Sequence, residues 1–236
     1  VKVGGVAFMT TQARAETLAR TMVAIGRSVG RRTVAVISNM DEPLGRAVGN
    51  AIEVREAIDT LTGRGPADLT ELCLTIGAEM LILAGAAPDA TAARAALSEA
   101  LASGTALGKL RAMVEAQGGD PAYVDDPDRL PKASSSEPVA APADGHVQAI
   151  EAREIGLAAM QLGAGRAKKG DPVDLAVGIV LKKKVGDEVR AGEPLAVALT
   201  NRAEAVPTAV ERVRAAFRIS AEPVTPRPLI TGIIRE

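Results

Sequence analysis

Apolar positions recur at helical spacing between residues 11 and 29, where Leu18, Met22, Val23, Ile25 and Val29 share one face and Gly30 stops the run. The spacing predicts a helix with that stripe turned toward a core. The next run, Thr33-Val34-Ala35-Val36-Ile37-Ser38, is short, β-branched and apolar throughout, the pattern of a strand buried on both faces. Val1-Lys2-Val3 reads as the tail of an earlier strand entering a turn at Gly4-Gly5. Strand, helix and strand make a βαβ unit, so the expected fold class is α/β, part of a mixed or parallel sheet with covering helices.

Further helices are predicted over residues 51–61, capped by Asn50 and closed by Gly63, and over 68–84, 90–102 and 107–116, with Gly104 and Gly118-Gly119 as stops. From 121 to 142 the chain turns polar and rich in Pro and Ser, which places a domain boundary there. Beyond it the texture changes to short strands near 145–147, 173–181, 194–200 and 228–234, with helices near 152–162 and 205–216. The expected organisation is a central α/β portion over 1–120, incomplete at its amino terminus, a linker over 121–141, and a smaller α+β domain with a barrel-like hairpin unit over 142–236.

Composition narrows the function classes. With 47% apolar residues in 236, the chain can build a core, and disorder, collagen-like repetition and a disulfide scaffold are excluded. The 28 basic and 29 acidic side chains nearly cancel, so no global field recruits nucleic acid or an anionic membrane. Two Phe, one Tyr and no Trp leave little for stacking on bases. One Cys73 and one His146 cannot make a zinc site or a Cys-His nucleophile, and Cys73, inside an apolar run, is expected to be a small core residue. These residues show no charged-plus-apolar targeting pattern, and no apolar run reaches the ~20 residues that span a bilayer. A cytoplasmic protein whose chain opens in the middle of a domain is the expectation.

Four segments could carry chemistry. In the first, the glycines of Val1-Lys2-Val3-Gly4-Gly5-Val6-Ala7-Phe8-Met9 let backbone approach a ligand or form a plain turn, and Phe8 either packs on a flat base or anchors a core. In the second, Pro43-Leu44-Gly45-Arg46-Ala47 precedes Glu53 and Glu56, one turn apart on the next helix. Loop carbonyls plus one carboxylate suit a hard cation, while pairing of the glutamates with Arg55 or Arg46 is the plainer alternative. In the third, glycines with Arg166, Lys168 and Lys169 either hold phosphate or form a basic surface loop. The fourth, Lys182 to Leu195, resembles the G-D-x-V-x-x-G-x-x-L hairpin of lipoyl and biotinyl carrier domains, but Ala196-Val197-Ala198-Leu199-Thr200-Asn201 carries no lysine for acylation.

Taken together, VKVGG-AFM, TVAVISNMDEPLGRAVGNAIEVREAI, GPADLTELCLTIGAEMLILAG, PADGHV and LGAGRAKKGDPVDLAVGIVLKKKVGDEV resemble, in order, the carboxyl-terminal part of the pyrimidine-nucleoside phosphorylases, thymidine phosphorylase included. The resemblance implies an enzyme that cleaves a pyrimidine nucleoside with phosphate as co-substrate, giving base and pentose 1-phosphate, without an organic cofactor and as a homodimer when full length. It implies main-chain oxygens of Leu44 and Ala47 and the carboxylate of Glu56 on a potassium-like monovalent cation, and Phe8 in the base pocket. The phosphate loop and the groups that grip the base precede Val1 in the family, so no catalytic residue is expected within this chain, and the chain alone is expected to be inactive. Val6 stands where the commoner pattern has glycine. The competing readings are a non-catalytic binding or carrier-like module, and a nucleotide phosphorylase of the same fold.

Overall fold

The computed structural model describes residues 1–5 and 7–235, so the departure from the family pattern at Val6 lies outside the described residues. The chain begins with β1 (Lys2–Val3), α1 (Gln12–Ser28), β2 (Ala35–Asn39), β3 (Ala47–Gly49) and α2 (Ala51–Leu61). It continues through α3 (Ala67–Leu83), α4 (Ala90–Ala102), α5 (Thr105–Ala116) and α6 (Ala122–Asp125). The remainder is β4 (Ser135–Ala140), β5 (Gly145–Ile150), α7 (Ala152–Ala159), β6 (Gly178–Leu181), β7 (Glu188–Val189), β8 (Pro194–Thr200), α8 (Val206–Ala216), β9 (Phe217–Ser220) and β10 (Ile230–Ile234). Two compact units form, and neither is one continuous stretch: Val1–Met40, Ile58–Asp126 and Pro228–Glu236 make the first, Asp41–Ala57 and Pro127–Arg227 the second. Among the described residues no helix is long and apolar enough to cross a membrane.

In the first unit β2 is central, with β1 parallel on one side and β10 antiparallel on the other. The predicted βαβ unit is therefore present, within a mixed sheet. The Thr11 hydroxyl accepts from the Arg14 N–H to cap α1. The face of α1 that meets the sheet shares only Val23 with the expected stripe. Ala15, Ala19 and Val23 are buried with Val3, Ala35 and Ile37, whereas Leu18, Met22, Ile25 and Val29 are exposed. Small side chains at i, i+4 and i+8 let the helix backbone approach the sheet, and that close approach turns the larger stripe outward. α3 and α4 pack through Ala78, Ala87 and Ala93. A side chain at Gly77 would stand 2.9 Å from Leu97, so this helix pair also depends on close backbone approach.

Cys73 corrects a second expectation, because it is exposed on α3. Apolar residues are spread around this helix among Asp68, Glu71 and Glu79, so its sequence does not select an inward face, and the residues actually buried are Leu72, Ala78 and Glu79. Partial desolvation still pushes the Cys73 thiol up, which disfavours the reactive thiolate. The buried Glu79 carboxylate is met by the Arg235 guanidinium on Nε, at 3.3 Å, and on Nη2.

The second unit holds two open antiparallel sheets, ordered β3-β6-β8-β4 and β7-β5-β9. Its core draws Val139, Val147, Ile150, Ile155, Leu162, Ile179, Leu181 and Leu195 together with Val213 and Phe217. Each fully buried aliphatic side chain of this kind contributes about 1.5–3 kcal/mol over leaving it in water. β4 falls inside the Pro/Ser-rich stretch expected to link two domains, and it pairs with β8 along its whole length. The strand expected over 173–181 is confined to β6. The helix expected over 152–162 stops at Ala159 and passes into a π-helical turn, Met160–Ala164, in which Gly163 takes φ 110°.

Candidate functional site

The second candidate segment becomes a small oxygen-lined structure at the edge of the four-stranded sheet. β3 is the edge strand, and the Arg46 carbonyl accepts from the Leu181 N–H at 2.8 Å, so it faces β6. Alternation along an antiparallel pair then directs the N–H and C=O of Ala47 away from β6, to the open edge. Glu56, on α2, fills part of that edge. Its Oε1 accepts from the backbone N–H of Arg46 at 2.9 Å and of Ala47 at 3.0 Å. Gly45 makes the approach possible: it has φ +68°, and a Cβ there would lie 2.2 Å from Glu56 Oε2.

Lysine 184 completes the arrangement and was not among the residues singled out in the sequence. Its ammonium donates to the carbonyls of Pro43 and Gly45, the latter at 3.0 Å, and lies 3.6 Å from Glu42 Oε2. The same Glu42 oxygen accepts from the Val185 N–H at 3.0 Å. Both side chains are largely covered, Lys184 at 15% and Glu42 at 24% exposure. A pair this sheltered is screened less by salt than a surface pair. Lys184 is held in turn by its own N–H, which donates to Asp187 Oδ2 at 2.8 Å in the turn before β7. The loop at 42–47 therefore carries a tethered positive charge on two of its carbonyls and a carboxylate on two of its N–H groups.

The arginines named in the plainer alternative also have other partners. Arg55 pairs with Asp128 at 2.8 Å, and the Arg46 guanidinium donates to the Lys182 carbonyl at 3.0 Å. Glu53 reaches back to the Gly49 N–H at 2.9 Å at the start of α2. The Asn50 amide, expected as a helix cap, donates to the Ala164 carbonyl at 2.7 Å.

Among the described residues no three His, Cys, Asp or Glu side chains come together to hold a metal ion. A cation held at 42–47 would therefore rest on main-chain carbonyls and a carboxylate, an all-oxygen set suited to a hard ion. The Ala47 carbonyl at the open edge and the neighbouring Glu56 carboxylate fit that chemistry. The lysine takes the two carbonyls that flank Leu44.

The first segment behaves differently. The Gly4 N–H donates to the Met9 carbonyl at 3.0 Å and the Ala7 N–H to the Gly4 carbonyl at 3.1 Å, closing a tight loop after β1. Phe8 stands on that loop with 99% of its surface exposed. The core-anchor reading of Phe8 is thereby corrected, and the ring is free to meet a planar partner. The third segment folds on itself: Asp171 Oδ2 accepts from the Lys168 N–H at 2.8 Å, and Arg166 Nε donates to the Asp171 carbonyl at 3.1 Å. Lys168 and Lys169 are exposed. In the fourth segment β8 runs on from Leu195 as an interior strand between β6 and β4, so no hairpin tip follows that leucine.

Two family models match. The glycosyl transferase family a/b domain covers residues 1–107, and the pyrimidine nucleoside phosphorylase C-terminal domain covers residues 146–220. Relatives named pyrimidine-nucleoside phosphorylase are 52% identical in Bacillus subtilis, 50% in Staphylococcus haemolyticus and 49% in Staphylococcus aureus. Each alignment covers 100% of this chain and 54% of the relative, so the chain spans about half the length of the curated relatives it matches. The matched residues include β1, the 42–47 loop, Glu56 on α2 and β5 to β9, and with that span this chain belongs to the pyrimidine-nucleoside phosphorylase family.

Proposed function

We propose that this chain forms part of an enzyme that cleaves a pyrimidine nucleoside, thymidine among its substrates, by phosphorolysis. A phosphate oxygen bonds to the anomeric carbon as the bond from that carbon to the base nitrogen breaks. The electron pair leaves on the base, which takes up a proton, and the products are free base and a pentose 1-phosphate. The observation that carries this reading is sequence identity of about half that continues along the whole chain against relatives bearing that activity in their name. The chain contributes Phe8 to the base side of the pocket and the 42–47 loop with Glu56 to a potassium-like cation, held through the carbonyls of Leu44 and Ala47. Such an ion supplies charge and order to the loop. The groups that place phosphate in line and stabilise the departing base belong to the portion that the family carries ahead of this one, so the chain alone is inactive. The complete enzyme works as a homodimer in the cytoplasm.

The test is phosphate-dependent release of thymine from thymidine, and of uracil from uridine, by this chain alone and with the remaining portion of a relative supplied in trans. Turnover only on complementation is the expected result. Turnover by the chain alone overturns the placement of the essential groups, and no turnover with the complement overturns the phosphorylase reading.

A further inference from the structure

We infer that the exposed flank of α1 seats a helix from the portion that the relatives carry ahead of this one, lying alongside α1 on the same face of the sheet. The inference rests on the reading that this chain is part of a longer phosphorylase, and it adds a place where the two portions meet. Leu18, Met22, Ile25 and Val29 stand in one row, with exposure from 38% at Leu18 to 66% at Val29. Their spacings of four, three and four residues are those of a heptad seam, the pattern that packs one helix lengthwise on another at a shallow crossing angle. The hydroxyls that border the row are already satisfied inside α1. Thr17 donates to the Ala13 carbonyl and Thr21 to the Thr17 carbonyl, each at 2.9 Å, and Ser28 donates to the Ile25 carbonyl at 2.7 Å.

The direction of the row says where the partner lies. At 3.6 residues per turn the row is turned about 90° from Ala15, Ala19 and Val23, which meet the sheet, and Glu16, Arg20 and Arg27 fall on the opposite side. The row therefore faces sideways within the layer that covers the sheet. Met9 fixes the side: it bridges Val3 on β1 and shares a 460 Å³ groove with Arg14, Leu18 and Thr21. β1 is an edge strand, so the row faces a sheet edge to which further strands and their covering helices can be added.

A second copy of this chain is the weaker occupant. Four partly exposed side chains along about 16 Å of helix fall short of the about 800 Å² per partner that a stable interface between separate chains buries. A covalently joined helix needs no such area, because its effective concentration is high. The relatives have the chain to supply it, since the alignments cover 54% of each and leave nearly half outside the match.

The experiment reads thiol accessibility in a Cys73→Ser background, in this chain alone and with the remaining portion of the Bacillus subtilis relative joined ahead of Val1. The thiol reagent DTNB labels Ile25→Cys, on the row, and Arg20→Cys, on the opposite side; thymine release from thymidine is followed in the same joined proteins. Joining is expected to slow labelling of Ile25→Cys at least about tenfold and to leave Arg20→Cys unchanged. Met22→Cys repeats the reading if Ile25→Cys does not fold. Turnover with Ile25→Cys labelled as fast as in this chain alone overturns the inference and leaves the phosphorylase reading standing. Slowed labelling without turnover does the reverse, and the absence of both overturns the two together. Equal slowing at both positions is burial without a seam and overturns the inference as well. So does protection of Ile25→Cys that grows with the concentration of this chain alone, because a second copy then takes the row.

Discussion

Gly45 is the residue on which the 42–47 loop turns. Its positive φ and the 2.2 Å that separates a notional Cβ from Glu56 Oε2 penalise any side chain twice, through backbone strain and through displacement of the carboxylate. Gly45→Ala is expected to cost about 1–3 kcal/mol in chemical denaturation, and to do so with the potassium response weakened. Equal potassium response in the variant and in wild type would separate the loop from the ion. Spacing alone left Glu53 and Glu56 equally open, and only the family resemblance singled out Glu56. Lys184 was not legible in the sequence, because its contacts join residues 139 and 141 positions apart, and no local pattern records such a pairing. Cys73 misled for a different reason: an apolar neighbourhood in sequence sits equally well on the outside of a helix whose apolar residues are spread around it.

At the scale of elements, the strongly periodic helices and the β-branched strand β2 were legible, and the choice of buried face was the weaker inference. α1 illustrates the cause. Size-blind hydrophobic patterning picks the Leu18, Met22, Ile25 and Val29 stripe, whereas the sheet accepts the alanine stripe because backbone proximity is what packs there. Ala19→Leu is therefore expected to destabilise by about 1–3 kcal/mol through overpacking. Ile25→Ala, at 59% exposure, is expected to stay within about 0.5 kcal/mol of wild type in the same urea melts. The reverse order of these two would restore the larger stripe as the core face. β4 escaped notice because Ser135-Ser136-Glu137-Pro138 lacks strand propensity; pairing with β8 supplies what the local sequence does not. The α3–α4 pair carries a pH dependence. The Arg94 guanidinium bonds Glu71 at 2.6 Å and holds its carboxyl below the usual carboxylate range. A depressed carboxyl stabilises the fold above the usual carboxylate pKa, and that contribution is lost as pH falls through the lowered value. The pair is half exposed, so its worth is about 0.2–1 kcal/mol. Glu71→Gln should be less stable than wild type by that amount at neutral pH, and the gap should close in acid; a gap independent of pH would show that the charge is not its source.

For the whole molecule, the two units are built from interleaved stretches of chain. Asp41–Ala57 belongs with Pro127–Arg227, and Pro228–Glu236 returns to the first unit, so β10 closes a sheet that began at β1. The long-range pairings that close these units lie outside any window of sequence, yet they assemble the oxygen-lined loop: α2 brings Glu56, the turn before β7 brings Lys184, and β6 fixes the edge that Ala47 faces. The central claim is that this loop holds a monovalent cation beside the tethered ammonium. Anomalous diffraction from crystals grown in rubidium in place of potassium tests it most directly. The account predicts a rubidium peak bounded by the Leu44 and Ala47 carbonyls and the Glu56 carboxylate, with Lys184 still on Pro43 and Gly45. Density for the ammonium alone, with no rubidium at the loop, would contradict it.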